Sequence, residues 1–206
     1  MYNFETKFNN LILKLKCFKM GVGRLRQFYL LNEKLSEQKI AEKYLEDEYE
    51  INQYIAEPIS RIITFLSNIT LDNEGNIEQL RPKRKGNQIV GYSFEDEYIL
   101  PDSNRIIKYE IVKKIISQNH VYEIRFLSQD ENSKRNCRIL FTINLSKPYL
   151  IWTHGFTKFS TKNMNQIKAS NELTDQLATL AELIHKNLEK NESNYIGEGD
   201  GKHEIR

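Results

Sequence analysis

Apolar residues recur every three or four positions in two long segments of the chain, which is the spacing of an amphipathic helix. The first segment covers residues 35–69 and the second covers residues 165–190. Ser36 can cap the first segment, and Pro58 lacks the amide proton that a helix interior requires, so we expect two helices or one bent helix there. Residues 1–34 mix short apolar stretches with lysine and arginine and are predicted to be helix-rich.

Alternation of apolar and polar residues, the pattern of a strand, becomes prominent after residue 105. Within residues 121–127 the side chains expected on one buried face are those of Tyr122, Ile124 and Phe126. Glu123 and Arg125 alternate with them and belong to the opposite face. Two more apolar runs follow after short polar connections, which predicts an antiparallel meander. Together the patterns predict an α+β fold, with N-terminal helices on one face of an antiparallel sheet and a C-terminal helix.

The chain is expected to have three parts. Residues 1–104 are predicted to be a helix-rich N-terminal region, residues 105–190 the sheet with its C-terminal helix, and residues 191–206 a flexible tail. Residues 81–86 are predicted to be a basic, turn-forming loop, and residues 155–162 a polar loop before the helix. The sequence leaves open whether the N-terminal region supplies helices of the fold, an added regulatory part or a fused inhibitory segment.

The formal net charge of +2 conceals a segregation of charge along the chain. Residues 35–80 contain three basic and ten acidic side chains, whereas residues 81–170 contain sixteen basic and eight acidic ones. One interpretation is that both sets are merely solvated; the other is a basic surface that binds phosphate. If the acidic helices packed beside that surface, they would compete with RNA for its cations. If they only completed the core, their acidic side chains would face solvent.

The residues that usually build metal, redox or nucleotide sites are sparse. The two cysteines and four scattered histidines lack the spacing of a disulfide framework or a metal site, so we expect no metal and no cofactor. There is no phosphate-binding P-loop and no nucleophile elbow. No run reaches the roughly 18 apolar residues that span a bilayer. We therefore expect a soluble, cytoplasmic protein that does not act at a membrane.

Basic side chains recur along the predicted meander. Arg125, Arg138, Lys158 and Lys162 lie on successive strands or just after them, and such positions come within reach of one another in an antiparallel sheet. Guanidinium and ammonium groups can hold a phosphodiester and stabilise charge that develops on it. Aromatic residues that could stack an unpaired base are Tyr122, Trp152, Phe156 and Phe159. The alternative is that the charged residues are ordinary exposed sheet positions and the aromatic rings belong to the core.

Three motifs in this region resemble the RelE/ParE superfamily of toxins, and most closely its phage-derived, HigB-like branch. The motifs are Tyr122-Glu-Ile-Arg125, Arg138-Ile-Leu-Phe141 and His154-Gly-Phe-Thr-Lys158, followed by a helix that contains Ala169. The resemblance covers about residues 105–190 and implies a curved antiparallel sheet packed on N-terminal helices. The chain is longer than usual members of the family. Phe159 stands where the family has a second lysine, and Lys162 could supply the missing positive charge.

The resemblance implies metal-independent cleavage of messenger RNA, commonly in the ribosomal decoding site, and an antitoxin protein as partner. In that chemistry the ribose 2′-hydroxyl attacks the neighbouring phosphate. By analogy Arg125 and Arg138 would hold the phosphate, and Lys158 or His154 would transfer protons or neutralise charge.

Further RNA contacts are expected around these residues and in the basic loop. The candidate RNA-binding residues are Lys162, Phe156, Phe159, Arg81, Lys83, Arg84 and Lys85. Fold alone does not decide activity. The alternative function is therefore a non-catalytic regulatory protein of a phage or plasmid, with a RelE-like fold, that binds nucleic acid or a protein partner.

Overall fold

The computed structural model describes residues 26–29, 40–99, 105–129, 134–144, 149–159 and 163–188. Within them the elements are, in chain order, β1 (Arg26–Tyr29), α1 (Ala41–Ile51), a 3₁₀ turn (Gln53–Ile55), α2 (Ala56–Ser67), β2 (Arg81–Lys85), β3 (Gln88–Ile99), β4 (Ile106–Lys114), β5 (Val121–Gln129), β6 (Lys134–Asn144), β7 (Tyr149–Phe159) and α3 (Met164–Leu188). None of these helices combines the length and the apolar composition that crossing a membrane requires. The predicted α+β class is confirmed, since helices precede and follow one mainly antiparallel sheet.

The described strands form a single sheet in the order β1-β7-β6-β5-β4-β3-β2. Neighbouring strands are antiparallel except β1, which pairs with β7 in parallel. β4 pairs with β5 only from Val112 to Lys114, whereas it pairs with β3 along most of its length. The sheet therefore continues beyond the predicted meander into the β2–β3 hairpin, which precedes residue 104 in the chain.

Helices cover the two faces of the sheet. α1 and α2 pack on the face that carries Tyr122, Ile124 and Phe126, whose exposed fractions are 1%, 0% and 0%, as the alternation predicts. α3 packs on the opposite face, over an apolar cluster that includes Val121 and Phe156. We call this second side of the sheet the α3 face.

The predicted pair of N-terminal helices is present, but the break between them lies at Asn52 rather than at Pro58. The Asn52 side-chain oxygen accepts a hydrogen bond from the Tyr54 amide at 3.0 Å, which favours a turn there. Pro58 is the third residue of α2. Amides of the first helical turn have no partner within the helix, so a proline costs little at that position.

Two segments predicted to be loops are strands. All five residues of β2 are exposed, so no alternation marks the strand in the sequence. Pro82 is tolerated because β2 lies at the edge of the sheet, and Gly86 completes the hairpin with a φ of 61°. β7 continues through Gly155 instead of ending before it. Glycine is required there inside the strand because Tyr44 of α1 packs against the position that a Cβ would occupy.

The remaining predictions concern the ends of the chain. Residues 26–29 form a strand, although they belong to a segment predicted to be helix-rich. The rest of residues 1–34, Ser36, Lys162 and the tail at 191–206 lie outside the described residues. The division of the chain into three parts stays a prediction.

Candidate functional site

A cluster of charged side chains crosses the α3 face of the sheet. We call it the cross-sheet cluster, and its members are Lys83 of β2, Glu110 and Lys113 of β4, Glu123 and Arg125 of β5, Arg138 of β6 and Lys158 of β7. The sheet register brings them together, because residues directly opposite each other on neighbouring strands share a face. Arg125 is opposite Arg138, and Lys113 is opposite Glu123.

The two carboxylates link the cations in a continuous series of contacts. Lys83 Nζ lies 2.6 Å from Glu110 Oε1, and Arg125 Nη1 contacts the other oxygen of Glu110. Arg125 Nε lies 3.7 Å from Glu123 Oε2. Arg138 Nε lies 3.1 Å from Glu123 Oε1. The series therefore runs from β2 at the edge of the sheet to β6 near its centre.

The cations of the cluster differ in their access to solvent. The Arg138 side chain is only 5% exposed, and its Nη1 also donates to the Tyr109 hydroxyl at 3.2 Å. The Arg125 side chain is 20% exposed, and its buried Nε has no hydrogen-bond partner within the described residues. The Lys83 side chain is 55% exposed. A ligand on this face can therefore reach Lys83 and Arg125, whereas Arg138 lies behind them.

Lys158 is half-buried at the β7 side of the cluster. Burial lowers the pKa of its ammonium group; Glu123 opposes this shift, and the charges of Arg138 and Arg125 add to it. Its Nζ donates to the Asn171 side-chain oxygen of α3 at 3.4 Å. Lys158 therefore gives up its proton more readily than an exposed lysine does.

The cross-sheet cluster carries an excess of positive charge. It contains five cations (Lys83, Lys113, Arg125, Arg138 and Lys158) and two carboxylates. Burial raises the pKa of Glu110. The hydrogen bond from Lys83 and the charge of Arg125 lower this pKa by a larger amount, so the net shift is downward. The Glu110 carboxylate is therefore ionised at neutral pH. An excess of three positive charges in one partly buried cluster attracts polyanions.

Four of the predicted site residues meet in this cluster, namely Arg125, Arg138, Lys158 and Lys83. The sequence did not indicate Glu110, Lys113 or Tyr109, because their partners lie on strands distant in sequence. The alternation predicts Glu123 on the exposed face of its strand, yet it is 5% exposed and lies between two arginines. Its place inside the Tyr122–Arg125 motif was the one signal that could have marked it.

The other predicted site residues that the structure describes are not members of the cross-sheet cluster, although Arg81 shares its side of the sheet. His154 is 1% exposed, neither ring nitrogen has a hydrogen-bond partner within the described residues, and burial lowers its pKa to about 4. Phe156 is 4% exposed and packs in the apolar cluster under α3. Arg81, Arg84 and Lys85 are exposed along β2.

Two of the predicted RNA-binding side chains have no described position in the structure. Lys162 and the side chain of Phe159 lie outside the described residues. Their roles, like those of His154 and Phe156, stay predictions.

The acidic N-terminal helices do not cover the cross-sheet cluster. α1 and α2 pack on the opposite face of the sheet. Their one buried acidic residue, Glu48, forms a two-point ion pair with Arg135 of β6, at 2.5 Å and 3.1 Å. The expectation that these helices compete with RNA for the cations of the α3 face is therefore wrong for the described residues, and their apolar side completes the core.

A second group of titratable side chains fixes α3 to the turn between β4 and β5. His120 Nδ1 lies 2.9 Å from Glu182 Oε1, and the His120 backbone amide donates to Glu182 Oε2 at 3.0 Å. The rings of His120 and His185 stack with centroids 4.1 Å apart. In the described part of the chain, no three histidine, cysteine, aspartate or glutamate side chains are arranged to hold a metal ion together.

Comparisons of the chain with models of protein families, with curated proteins and with solved structures found no match. The resemblance to the RelE/ParE superfamily therefore rests on the three motifs and stays a prediction.

Proposed function

We propose that this protein is a metal-independent endoribonuclease that cleaves messenger RNA, as the toxin of a toxin–antitoxin or phage-related system. One observation supports the proposal: Arg125, Arg138 and Lys158 lie together in a cluster with excess positive charge. Each of the three belongs to a different motif of the resemblance, and the resemblance assigns all three to one site. We expect it to act in the cytoplasm, on RNA bound to the ribosome, and to be inhibited by an antitoxin protein.

Cleavage of RNA without a metal depends on two proton transfers and on the stabilisation of negative charge. A base takes the proton of the 2′-hydroxyl, cations stabilise the negative charge on the phosphate, and an acid protonates the departing 5′-oxygen. The 2′-oxygen forms a bond to phosphorus while the bond from phosphorus to the 5′-oxygen breaks. The products are a 2′,3′-cyclic phosphate and a 5′-hydroxyl.

The members of the cross-sheet cluster divide these tasks by their accessibility. Arg125 is open to solvent and contacts a non-bridging oxygen of the phosphate. Lys158, with its lowered pKa, gives its proton to the departing 5′-oxygen, and water takes the proton of the 2′-hydroxyl. Arg138 and Glu123 are buried side by side, and they hold the Arg125 guanidinium in position rather than touching RNA.

Expression in a bacterial host tests the proposal. We expect growth arrest and fragmented transcripts with the wild-type chain, and neither with Lys158→Ala. Lys168→Ala is the matched control, since Lys168 is 79% exposed on α3 and pairs with Glu172 at 3.9 Å, away from the cross-sheet cluster. Normal growth and intact transcripts at an equal level of wild-type protein would contradict the proposal.

A specific observation favours a second function, that of a non-catalytic RNA-binding protein. Both arginines of the cluster already have carboxylate partners, as they would in a surface that only holds a ligand. Under this alternative the purified chain binds RNA and Lys158→Ala weakens binding, but transcripts stay intact.

A further inference from the structure

Glu110 lies between two cations of the cross-sheet cluster that belong to strands distant from each other in the sequence, β2 and β5. One of its oxygens accepts from Lys83 of β2 and from the Ser93 hydroxyl, at 2.6 Å and 3.4 Å. The other oxygen contacts Arg125 of β5. The carboxylate thus occupies the place that a phosphate would take between Lys83 and Arg125.

We propose that single-stranded RNA crosses the strands along the α3 face, from Lys158 to the β2 edge, and that Glu110 limits its affinity by occupying Lys83 and Arg125. The inference rests on the proposed function, since it names how that site takes its substrate. It adds a binding path and a residue that the motifs do not indicate.

The spacing of the strands sets the length of this path. Neighbouring strands lie about 4.8 Å apart, so the five intervals from β2 to β7 span about 24 Å. Cations that are at least partly exposed recur along this distance, with Lys83 at one end, Lys113 and Arg125 between, and Lys158 at the other. Arg81 extends the row, because it is two residues from Lys83 on the same strand and so faces the same side. This length suits several nucleotides rather than one phosphate.

The shape of the row favours a single strand. The accessible cations follow one line across the sheet, whereas a duplex presents phosphates along two strands and is recognised across a groove. A positively charged groove that follows one backbone is the usual arrangement for single strands, with sites of about 4–16 nucleotides.

Neutralising Glu110 therefore adds one net positive charge to the cluster and leaves Lys83 without its carboxylate partner, so it should strengthen RNA binding. For single strands, each cation that pairs with a phosphate adds about 0.7 to the slope of log affinity against log salt. One additional cation strengthens binding about eightfold at ~50 mM salt, and the difference disappears towards ~1 M.

Fluorescence anisotropy with the full chain tests the inference. The probe is an oligouridylate of about twelve nucleotides whose 2′-hydroxyls are all methylated, so that it cannot be cleaved. We expect Glu110→Gln to bind this probe more tightly and with a steeper salt dependence than the wild type. Glu50→Gln is the control, because Glu50 is exposed on α1 and the substitution changes the net charge equally.

Equal affinities of Glu110→Gln and Glu50→Gln would overturn the inference, as would tighter binding of a duplex of the same length. If Glu110→Gln does not fold, Lys83→Ala replaces it. That variant should bind more weakly and with a slope reduced by about 0.7, and unchanged binding would overturn the inference. Lys43→Ala, on the exposed side of α1, is its control.

The two proposals fail separately. If these differences in binding are observed but transcripts stay intact, the nuclease proposal is wrong and the binding path stands. If transcripts are cleaved but Glu110→Gln binds like Glu50→Gln, the nuclease proposal stands and the role of Glu110 is wrong.

Discussion

Replacing Gly155 by alanine tests the contact between α1 and the sheet. A Cβ at this position would lie 2.2 Å from two ring carbons of Tyr44 and 2.4 Å from the Tyr44 Cβ. Because even the Tyr44 Cβ is too close, rotating the ring cannot relieve the overlap. α1 itself would have to move away from β7.

The expected loss of stability follows from these distances. Carbon atoms in ordinary contact are about 3.5–4.0 Å apart, so the added methyl group overlaps its neighbours by about 1.3 Å or more. Overpacking of this kind costs ~1–3 kcal/mol. Moving Tyr44 also breaks its hydrogen bond to the Thr157 hydroxyl, now 2.7 Å long, at a further cost of about 1 kcal/mol. We expect the free energy of unfolding to fall by about 3 kcal/mol, which is a large part of the ~5–15 kcal/mol of an ordinary domain.

Urea denaturation followed by tryptophan fluorescence measures this loss, since the chain has one tryptophan, Trp152, and it is fully buried. Gly91→Ala is the matched control in the same sheet. A Cβ on Gly91 would lie 3.7 Å from the nearest atom, so alanine should be neutral or stabilising by up to about 1 kcal/mol. A loss below about 0.5 kcal/mol for Gly155→Ala would show that α1 does not approach β7 this closely.

Two other substitutions test buried ion pairs. Arg135→Ala leaves the Glu48 carboxylate, 2% exposed, without its two-point partner and should lower the free energy of unfolding in urea by about 3 kcal/mol; an unchanged midpoint would contradict the buried pair. Glu182→Gln tests pH dependence. Burial raises the pKa of Glu182, but the hydrogen bonds from His120 lower it below its usual 4.5, so ionised Glu182 stabilises the fold above pH 4.5. The wild type should therefore exceed Glu182→Gln in melting temperature at neutral pH, and the difference should shrink as the pH falls below 4.5; a constant difference would refute this.

The sequence predicts the fold best where one face of an element is buried. Tyr122, Ile124 and Phe126 alternate with charged residues because β5 lies between an apolar core and the cross-sheet cluster, and that alternation marks both the strand and its inner face. β2 is exposed on both sides, so its residues carry no such pattern. The sequence predicts a loop at Gly155, because the real constraint on this residue, the approach of Tyr44, comes from another part of the chain.

The candidate site was predictable only in part for the same reason. Arg125, Arg138 and Lys158 could be grouped because short connections place their strands side by side. Lys83 meets Arg125 only through Glu110, and this contact requires the β2–β3 hairpin to extend the sheet beyond β4. No local pattern in the sequence specifies that pairing.

The chemistry of the RNA ends tests the central claim most directly. We would sequence transcripts from bacteria that express the wild-type chain, Lys158→Ala or Lys158→Arg, with ligation steps selective for 5′-hydroxyl ends and 2′,3′-cyclic phosphates. Cleavage by the 2′-hydroxyl predicts paired ends of both kinds with the wild type. Arginine retains the positive charge but does not give up its proton, so it should restore few of them. Transcripts without such ends in wild-type cells, or equal numbers of ends in all three strains, would contradict the account.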